Sequence, residues 1–195
     1  MQQVEKRENQ RSRLTKTLIV NALLSLLKEK EFNQITVQAI CNEAEINRTT
    51  FYRYYENQYQ LLETIEQELI EELEEHGDVY TLLQNPEART VATEIMTDFF
   101  NCIQNRFDLY HVLVTRVHPN IFEKTRILRT ELMIKDLESE MEPYRARYLS
   151  DFVVAGGQRI VSEWIAKGEQ RESPSLMAQM LIDFLDDRPK STHTA

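Results

Sequence analysis

The chain has 195 residues, of which 42% are hydrophobic and 28% charged, a balance that fits one or two folded domains and excludes intrinsic disorder. Its 23 basic and 32 acidic residues leave a net charge of −9, which, taken as an average, argues against a partner as acidic as DNA or an anionic membrane. With 4 Gly and 5 Pro, no Gly before Gly77 and no Pro before Pro86, it lacks the turn residues of sheets and the glycine runs of phosphate loops. That excludes a Rossmann domain, a P-loop and a β-sandwich and leaves an all-α fold.

From about Gln10 to Glu31 the spacing predicts a first helix. Leu14, Leu18, Ala22 and Leu26 recur every fourth residue, and Ile19, Leu23 and Leu27 fill the adjoining row, making one apolar stripe. Thr36 then caps a short helix over Val37 to Ala44, and Asn47 caps another from Arg48 to about Tyr54. Only Glu45 and Ile46 separate Ala44 from that second cap, which is a helix-turn-helix pattern. Asn57, with Gln60 three residues on, opens a longer helix whose stripe is Leu61, Ile65, Leu69 and Leu73 and whose end falls near Gly77.

Asn85-Pro86 starts a helix to about Gln104, and Asp108 opens a short one. Pro119 begins a long helical pattern to Met141. Pro143 begins another through Trp164 to Lys167, with Gly168 as its C-cap. Ser173-Pro174 caps a last helix to about Leu185, and the polar tail 186–195 is expected to be disordered. The pattern therefore predicts about nine helices.

Cys41 and Cys102 are the only cysteines, so neither a disulfide framework nor a zinc-site spacing is present. Met1 to Arg13 is hydrophilic, without a signal-peptide core. The longest apolar stretch, Leu18 to Leu27, is broken by Asn21 and Ser25 and is too short to span a bilayer. These features point to the reducing cytoplasm and away from a membrane.

The charge is unevenly placed. Residues 1–60 hold nine basic and seven acidic residues, a balance of +2, while the other 135 hold 14 basic and 25 acidic, a balance of −11. Residues 61–78 alone carry eight acids and no Lys or Arg, which reads as a solvated helix face. The basic groups sit with the helix-turn-helix, the asymmetry expected of a nucleic-acid face on one part of a chain.

Residues 35–62 read ITVQAICNEAEINRTTFYRYYENQYQLL. The features Thr36, Ile40, Ala44, Ile46-Asn47, Thr50-Phe51-Tyr52, Tyr54-Tyr55, Asn57 and Leu61-Leu62 resemble the DNA-binding segment of the TetR/AcrR family of bacterial transcriptional regulators. Gly156-Gly157 through Trp164, Gly168 and Ser173-Pro174 looks, more loosely, like the family's C-terminal end, where the last two long helices pair two subunits.

The chemistry of the residues stands beside that resemblance. A recognition helix needs small or hydrogen-bonding side chains at its N-terminal end, and Asn47, Arg48, Thr49 and Thr50 are there. Arg48 suits a guanine edge or a phosphate, and the threonines suit either. Tyr52 and Arg53 face outward and Tyr54 ends the helix; the resemblance sets Tyr52 against the DNA backbone. Thr36, Asn57 and Gln58 lie at helix N-termini that favour phosphate, although Thr36 and Asn57 are equally explained as caps. Phe51 packs with Leu23, Ile40 and Ile46, Tyr55 is a core residue and Cys41 a packed thiol. The basic N-terminal residues read either as a solvated tail or, by resemblance, as a minor-groove arm.

Two departures matter. Family members commonly have Gly where this chain has Glu45, and a left-handed backbone there strains a side-chain-bearing residue by roughly 1 kcal/mol. They commonly have Lys where this chain has Gln58. Both weaken phosphate attraction and imply modest, salt-sensitive affinity.

Domain 1–60 is thus read as DNA-binding and 61–185 as a regulatory and dimerisation bundle. Its interior candidates include Tyr80, Leu113, Leu137 and Phe152. Phe99, Phe100, Ile103, Phe107, Tyr110, Phe122 and Met133 are the residues through which the resemblance implies an inducer pocket, with plain core as the alternative. Gly156 and Gly157 allow close helix approach, with Ile160, Trp164, Met177, Met180, Leu181 and Phe184 forming a dimer seam. His76, His111 and His118 are isolated, so no metal site, cofactor or catalytic arrangement is read and the chain is not expected to be an enzyme.

The function implied is a homodimeric repressor on a palindromic operator in double-stranded DNA, released by a small-molecule inducer. A second reading keeps the fold but has the chain act mainly through a protein partner, with weak DNA affinity; Glu45, Gln58 and the net −9 motivate it.

Overall fold

The computed structural model describes residues 2–74, 82–83, 85–118, 121–122, 130–131, 133–135, 137–138 and 141–186. Among them every regular element is helical, and no helix is long and apolar enough to cross a membrane. The chain divides into two compact units: Met1–Leu69 with Thr115–His118, and Ile70–Val114 with Pro119–Ala195.

The first unit contains α1 (Gln2–Glu29), α2 (Val37–Glu43), α3 (Arg48–Tyr52) and α4 (Gln58–Glu74) as far as Leu69. α1 begins eight residues before the predicted start. The Glu, Lys, Arg and Gln residues there are strong helix formers and extend the helix beyond its apolar stripe.

The inward face of α1 is Ile19, Ala22, Leu23, Leu26 and Leu27, all buried. Leu14 and Leu18, predicted in that stripe, are 59% and 50% exposed. The reason is angular. At 3.6 residues per turn a row of every fourth residue drifts, and Leu18 and Leu14 come to lie about 140° and about 180° away from Leu23. Ile35, Ile40, Phe51, Leu61, Ile65 and Leu69 complete this core at 2% exposure or less. Burial of each such side chain is worth about 1.5–3 kcal/mol. A 3-10 turn at Phe32–Gln34, unmarked by any periodic signal, links α1 to α2.

The second unit holds the end of α4, α5 (Arg89–Asn105), α6 (Phe107–Val112), α7 (Pro143–Ala166) and α8 (Pro174–Asp186). A π-helical turn, Leu113–Val117, continues α6. α8 packs along α5, burying Leu83, Ala92 and Ile182 beside Ile95, Met96 and Leu185, and Arg89 pairs with Asp183 across them. The N-terminal half of α7 packs Ala146, Leu149, Val153 and Val154 against Met133 and Leu137. Phe152, predicted to be interior, is 78% exposed. It sits one position before Val153 and Val154, which take the inward face.

Trp164 is the hinge of the aromatic core. Its ring meets Phe100 edge-on at 5.0 Å and Phe107 at 6.1 Å, and its Nε1 donates to the Glu172 carbonyl at 2.9 Å. The Arg171 guanidinium lies 3.4 Å over the Phe107 ring and donates to Gln104 Oε1 and the Gly168 carbonyl. Gly168, at φ 63°, takes the left-handed conformation that ends α7, and Ser173 Oγ caps α8 by accepting from Leu176 N.

Residues 130–131, 133–135 and 137 are helical, within the predicted Pro119–Met141 helix. Most of that segment, together with His76, Gly77, Tyr80 and the tail from 187, lies outside the described residues.

Candidate nucleic-acid interface

The helix-turn-helix is assembled by caps. Thr36 Oγ1 accepts from Ala39 N at 3.2 Å at the start of α2. Asn47 Oδ1 accepts from Thr50 N at 2.7 Å and from Thr50 Oγ1 at 2.9 Å at the start of α3. Ser25 Oγ donates to Glu43 at 2.6 Å and ties α1 to the end of α2. Phe51, fully buried, anchors α3 into the core with Tyr55 tilted beside it.

The turn between α2 and α3 closes through two backbone bonds: Ile46 N donates to the Cys41 carbonyl at 3.0 Å and Glu45 N to the Asn42 carbonyl at 3.3 Å. That pair defines a Schellman C-cap, with Glu45 at the position where glycine is usual. Glu45 has φ 54°, the single positive φ outside glycine among the described residues. The strain expected there is present. Glu45→Gly should therefore raise unfolding free energy by about 1 kcal/mol, measured by urea denaturation, since relief of αL strain exceeds the added chain entropy of glycine. An unchanged or lowered midpoint contradicts this.

With these caps in place, the predicted site residues separate into two sets. Arg48, Thr49, Tyr52 and Arg53 are exposed, Tyr52 by 52%, and Tyr52 leans edge-on against Phe51 at 5.7 Å. Thr36, Asn47, Thr50 and Asn57 spend side-chain groups on local caps. Asn57 Oδ1 accepts from both Tyr59 N and Gln60 N at 2.9 Å, while Gln60 Oε1 accepts from Glu56 N at 2.6 Å. Gln58 and Tyr54 are half-buried, and Tyr54 falls after the end of α3.

Tyr59, 59% exposed and edge-on to Phe32 at 5.3 Å, is a surface aromatic in the first turn of α4 that the sequence reading passed over. It stands outside the Leu61–Ile65–Leu69 row that drew attention there. Burial pushes the Cys41 thiol up, with Arg48 opposing, so this thiol is a packed group.

In the second unit the predicted pocket residues are mostly buried. Phe100, Ile103, Phe107, Tyr110, Phe122 and Met133 are buried and Phe99 half-buried, edge-on to Phe100 at 5.4 Å. Burial, reinforced by Glu72, pushes the Cys102 thiol up to about 11 and moves the Tyr110 hydroxyl upward too. An open depression of about 360 Å³ lies on α5, lined by Thr90, Thr93, Glu94, Thr97 and Asp98, and none of the predicted pocket residues lines it.

The predicted dimer seam also divides. Trp164, Met177 and Leu181 are buried within their own subunit, because their helix faces meet the aromatic core and α5. Gly156 and Phe184 are exposed, and Gly157, Ile160 and Met180 half-buried. Tyr144, Tyr148 and Phe152, at 64%, 75% and 78% exposure, form a surface aromatic row on α7.

His111 and His118 each have a neighbour on the first or second unit. His111 stacks on Phe107 and bonds the Ile165 carbonyl at 2.8 Å, and His118 faces Glu66. Glu66, read as part of a solvated acidic face, is 6% exposed. Among the described residues no group of three His, Cys, Asp or Glu is placed to hold a metal ion.

Residues 19–65 match the family described as bacterial regulatory proteins, tetR family. The chain is 35% identical over 71 residues to the dhaKLM operon transcriptional activator DhaS of Lactococcus lactis, covering 36% of this chain and 38% of DhaS. It is 19% identical over 175 residues to the HTH-type transcriptional regulator YxbF of Bacillus subtilis, covering 87% of this chain and 44% of YxbF. The chain thus spans less than half the length of these curated relatives. Its fold is shared with the solved dihydroxyacetone kinase operon activator DhaS, with TM-score 0.57, 21% identity and coverage of 88% of this chain and 93% of that one. It is also shared with a TetR transcriptional regulator from Streptococcus agalactiae, with TM-score 0.57, 19% identity and coverage of 93% and 98%. Residues 19–65 thus match the helix-turn-helix segment of the tetR-family regulators, and the chain shares the all-α fold of these solved regulators.

Proposed function

We propose that the chain works in the cytoplasm as a homodimer that binds a palindromic operator through α3, represses transcription, and is released by a small-molecule inducer held in the second unit. The observation that carries the DNA-binding part is the capped α3 with Arg48, Thr49, Tyr52 and Arg53 exposed together. A gel shift with the promoter region beside the chain's own gene tests it. Specific retardation by wild type, lost in Arg48→Ala/Tyr52→Ala, supports the assignment; equal retardation by both defeats it.

A lone five-residue recognition helix has a small footprint, so a second copy is needed to read two half-sites. The exposed Tyr148 and Phe152, with Gly156 one turn on, support a seam on α7, and Leu176, Met180 and Phe184 offer a matching row on α8. An aromatic row of this exposure is the kind of patch that interfaces cover. Phe152→Glu should convert a species of twice the 23.1 kDa chain mass into a monomer in sedimentation velocity, with unchanged helical circular dichroism. A dimer of undiminished strength contradicts the seam.

The second reading, a coactivator or structural protein acting mainly through a protein partner with weak DNA binding, is supported by the packed state of Phe100, Phe107 and Tyr110, and the name of DhaS favours activation over repression. A reporter whose expression falls when the gene is deleted favours it over repression.

A further inference from the structure

We propose that Tyr59 is a further DNA-contacting residue: its hydroxyl donates to a phosphate of the operator backbone, and the ring of Phe32 holds it in place to do so. This rests on the DNA-binding reading proposed for α3.

Tyr59 is the second residue of α4 and is 59% exposed, while Leu61 and Leu62 just after it are buried. A side chain in a helix leans toward the helix start. The ring of Tyr59 therefore overhangs the Asn57–Gln58 end of α4, which the same reading sets against the DNA backbone. Tyr59 N donates to Asn57 Oδ1 at 2.9 Å, so the side chain springs from a fixed point. Its hydroxyl, by contrast, has no hydrogen-bond partner among the described residues.

The ring is also braced. Phe32, half-buried at the head of the 3-10 turn Phe32–Gln34, meets it edge-on with centroids 5.3 Å apart and planes at 87°. The first unit holds a second tyrosine built the same way: Tyr52, on α3, rests against Phe51 at 5.7 Å and 90°. In each pair a phenylalanine holds the ring that binding would otherwise have to immobilise, and more than half of the tyrosine stays in water. A braced ring with two side-chain torsions presents its donor at small entropic cost. Tyrosine hydroxyls are among the donors that bond phosphate oxygens. Glu56 and Gln58 bring no cation to this end of α4, so the contact is a neutral hydrogen bond that releases no counterion.

The test uses the full chain, an operator recovered by selection from random DNA, and fluorescence anisotropy over a range of salt concentrations. Tyr59→Phe keeps the ring and removes the hydroxyl. It should weaken operator binding by about thirtyfold, the loss of one hydrogen bond at each of two half-sites. The salt slope should not change, because tyrosine displaces no counterion. Base preferences in a selection with Tyr59→Phe should match those of wild type, because a phosphate contact carries no sequence information. Thermal midpoints should stay within about 2 °C, as expected for a surface substitution.

Phe32→Leu, which removes the brace, should weaken binding by about fivefold through the same hydroxyl. Tyr59→Phe/Phe32→Leu should therefore be no weaker than Tyr59→Phe alone. Adding Gln58→Lys to Tyr59→Phe should restore affinity to within about threefold of wild type and steepen the salt slope by about 2, one phosphate charge at each half-site. A merely structural role for Tyr59 would not respond to that added charge. Wild-type affinity in Tyr59→Phe, a salt slope that changes with it, or altered base preferences overturns the proposal. If wild type selects no operator, the DNA-binding reading fails and this contact with it; an operator bound equally by wild type and Tyr59→Phe removes this contact alone. Should Phe32→Leu fail to fold, Tyr59→Phe, a change at an exposed ring, carries the test.

Discussion

Arg48→Ala with Tyr52→Ala should reduce operator affinity by more than about a thousandfold while the protein stays folded. A bidentate arginine–guanine contact is worth about 1–3 kcal/mol, and a hydrogen bond to a phosphate adds about 1 kcal/mol. Both losses occur twice in a dimer on two half-sites. Since each step of about 1.4 kcal/mol is tenfold, binding falls to the level of non-specific DNA. The fold should survive because both side chains are exposed and such substitutions usually cost within about 0.5 kcal/mol. Tyr52→Phe serves as the control: it keeps the ring against Phe51 and removes only the hydroxyl. Competition binding at two salt concentrations checks the assignment. Tyr52 is uncharged and displaces no counterion, so Tyr52→Phe should weaken binding with an unchanged salt slope, whereas a slope made shallower by Arg48→Ala reassigns Arg48 to a phosphate.

The second large effect is on stability. Trp164→Ala should lower unfolding free energy by about 3–5 kcal/mol. Trp164 is 1% exposed, closes edge-on against Phe100 and Phe107, and satisfies the Glu172 carbonyl. Truncation leaves a cavity under the Arg171 clamp and an unpaired carbonyl in the loop leading to α8. Trp164 is the chain's single tryptophan, so the measurement must use circular dichroism rather than fluorescence. A loss below about 1.5 kcal/mol would show that Trp164 is not the centre of the second unit's core. Trp164→Phe separates the two contributions, since it keeps a ring and removes the Nε1 donor.

How far each feature was legible in the sequence depends on the range of the interaction that decides it. Caps are local, and Thr36, Asn47 and Ser173 bond the N–H groups that their positions in the chain imply. The strain at Glu45 was legible through the resemblance, which implies Gly at that position of the turn. The buried face of a helix is a non-local property. Periodicity finds apolar rows but does not choose between two of them. Leu14 and Leu18 were therefore placed inward, whereas the inward face of α1 runs only from Ile19 through Ala22, Leu23, Leu26 and Leu27, and Phe152 was placed in the core that Val153 and Val154 enter. Trp164 was assigned to a partner chain although Phe100, 64 residues earlier, already covers it.

Glu66 shows the same limit for charge. Nothing in residues 61–78 distinguishes it from the acids around it; its burial depends on a segment 52 residues further on. The π-helical turn at Leu113–Val117 has no side-chain signature that distinguishes it from the short helix expected from Asp108. Of the candidate interface, the exposed set Arg48, Thr49, Tyr52 and Arg53 was readable from position alone. The engagement of Thr36 and Asn57 in caps was readable only as one of two alternatives.

The central claim is that this helix-turn-helix reads DNA as a symmetric pair, and selection of binding sites from random-sequence duplex DNA with the intact chain tests it most directly. A symmetric pair predicts enrichment of inverted half-sites centred about one helical turn apart, or a multiple of it, and no enrichment by Arg48→Ala/Tyr52→Ala. Recovery of no enriched sequence by wild type, or of the same sequences by the double variant, would contradict it.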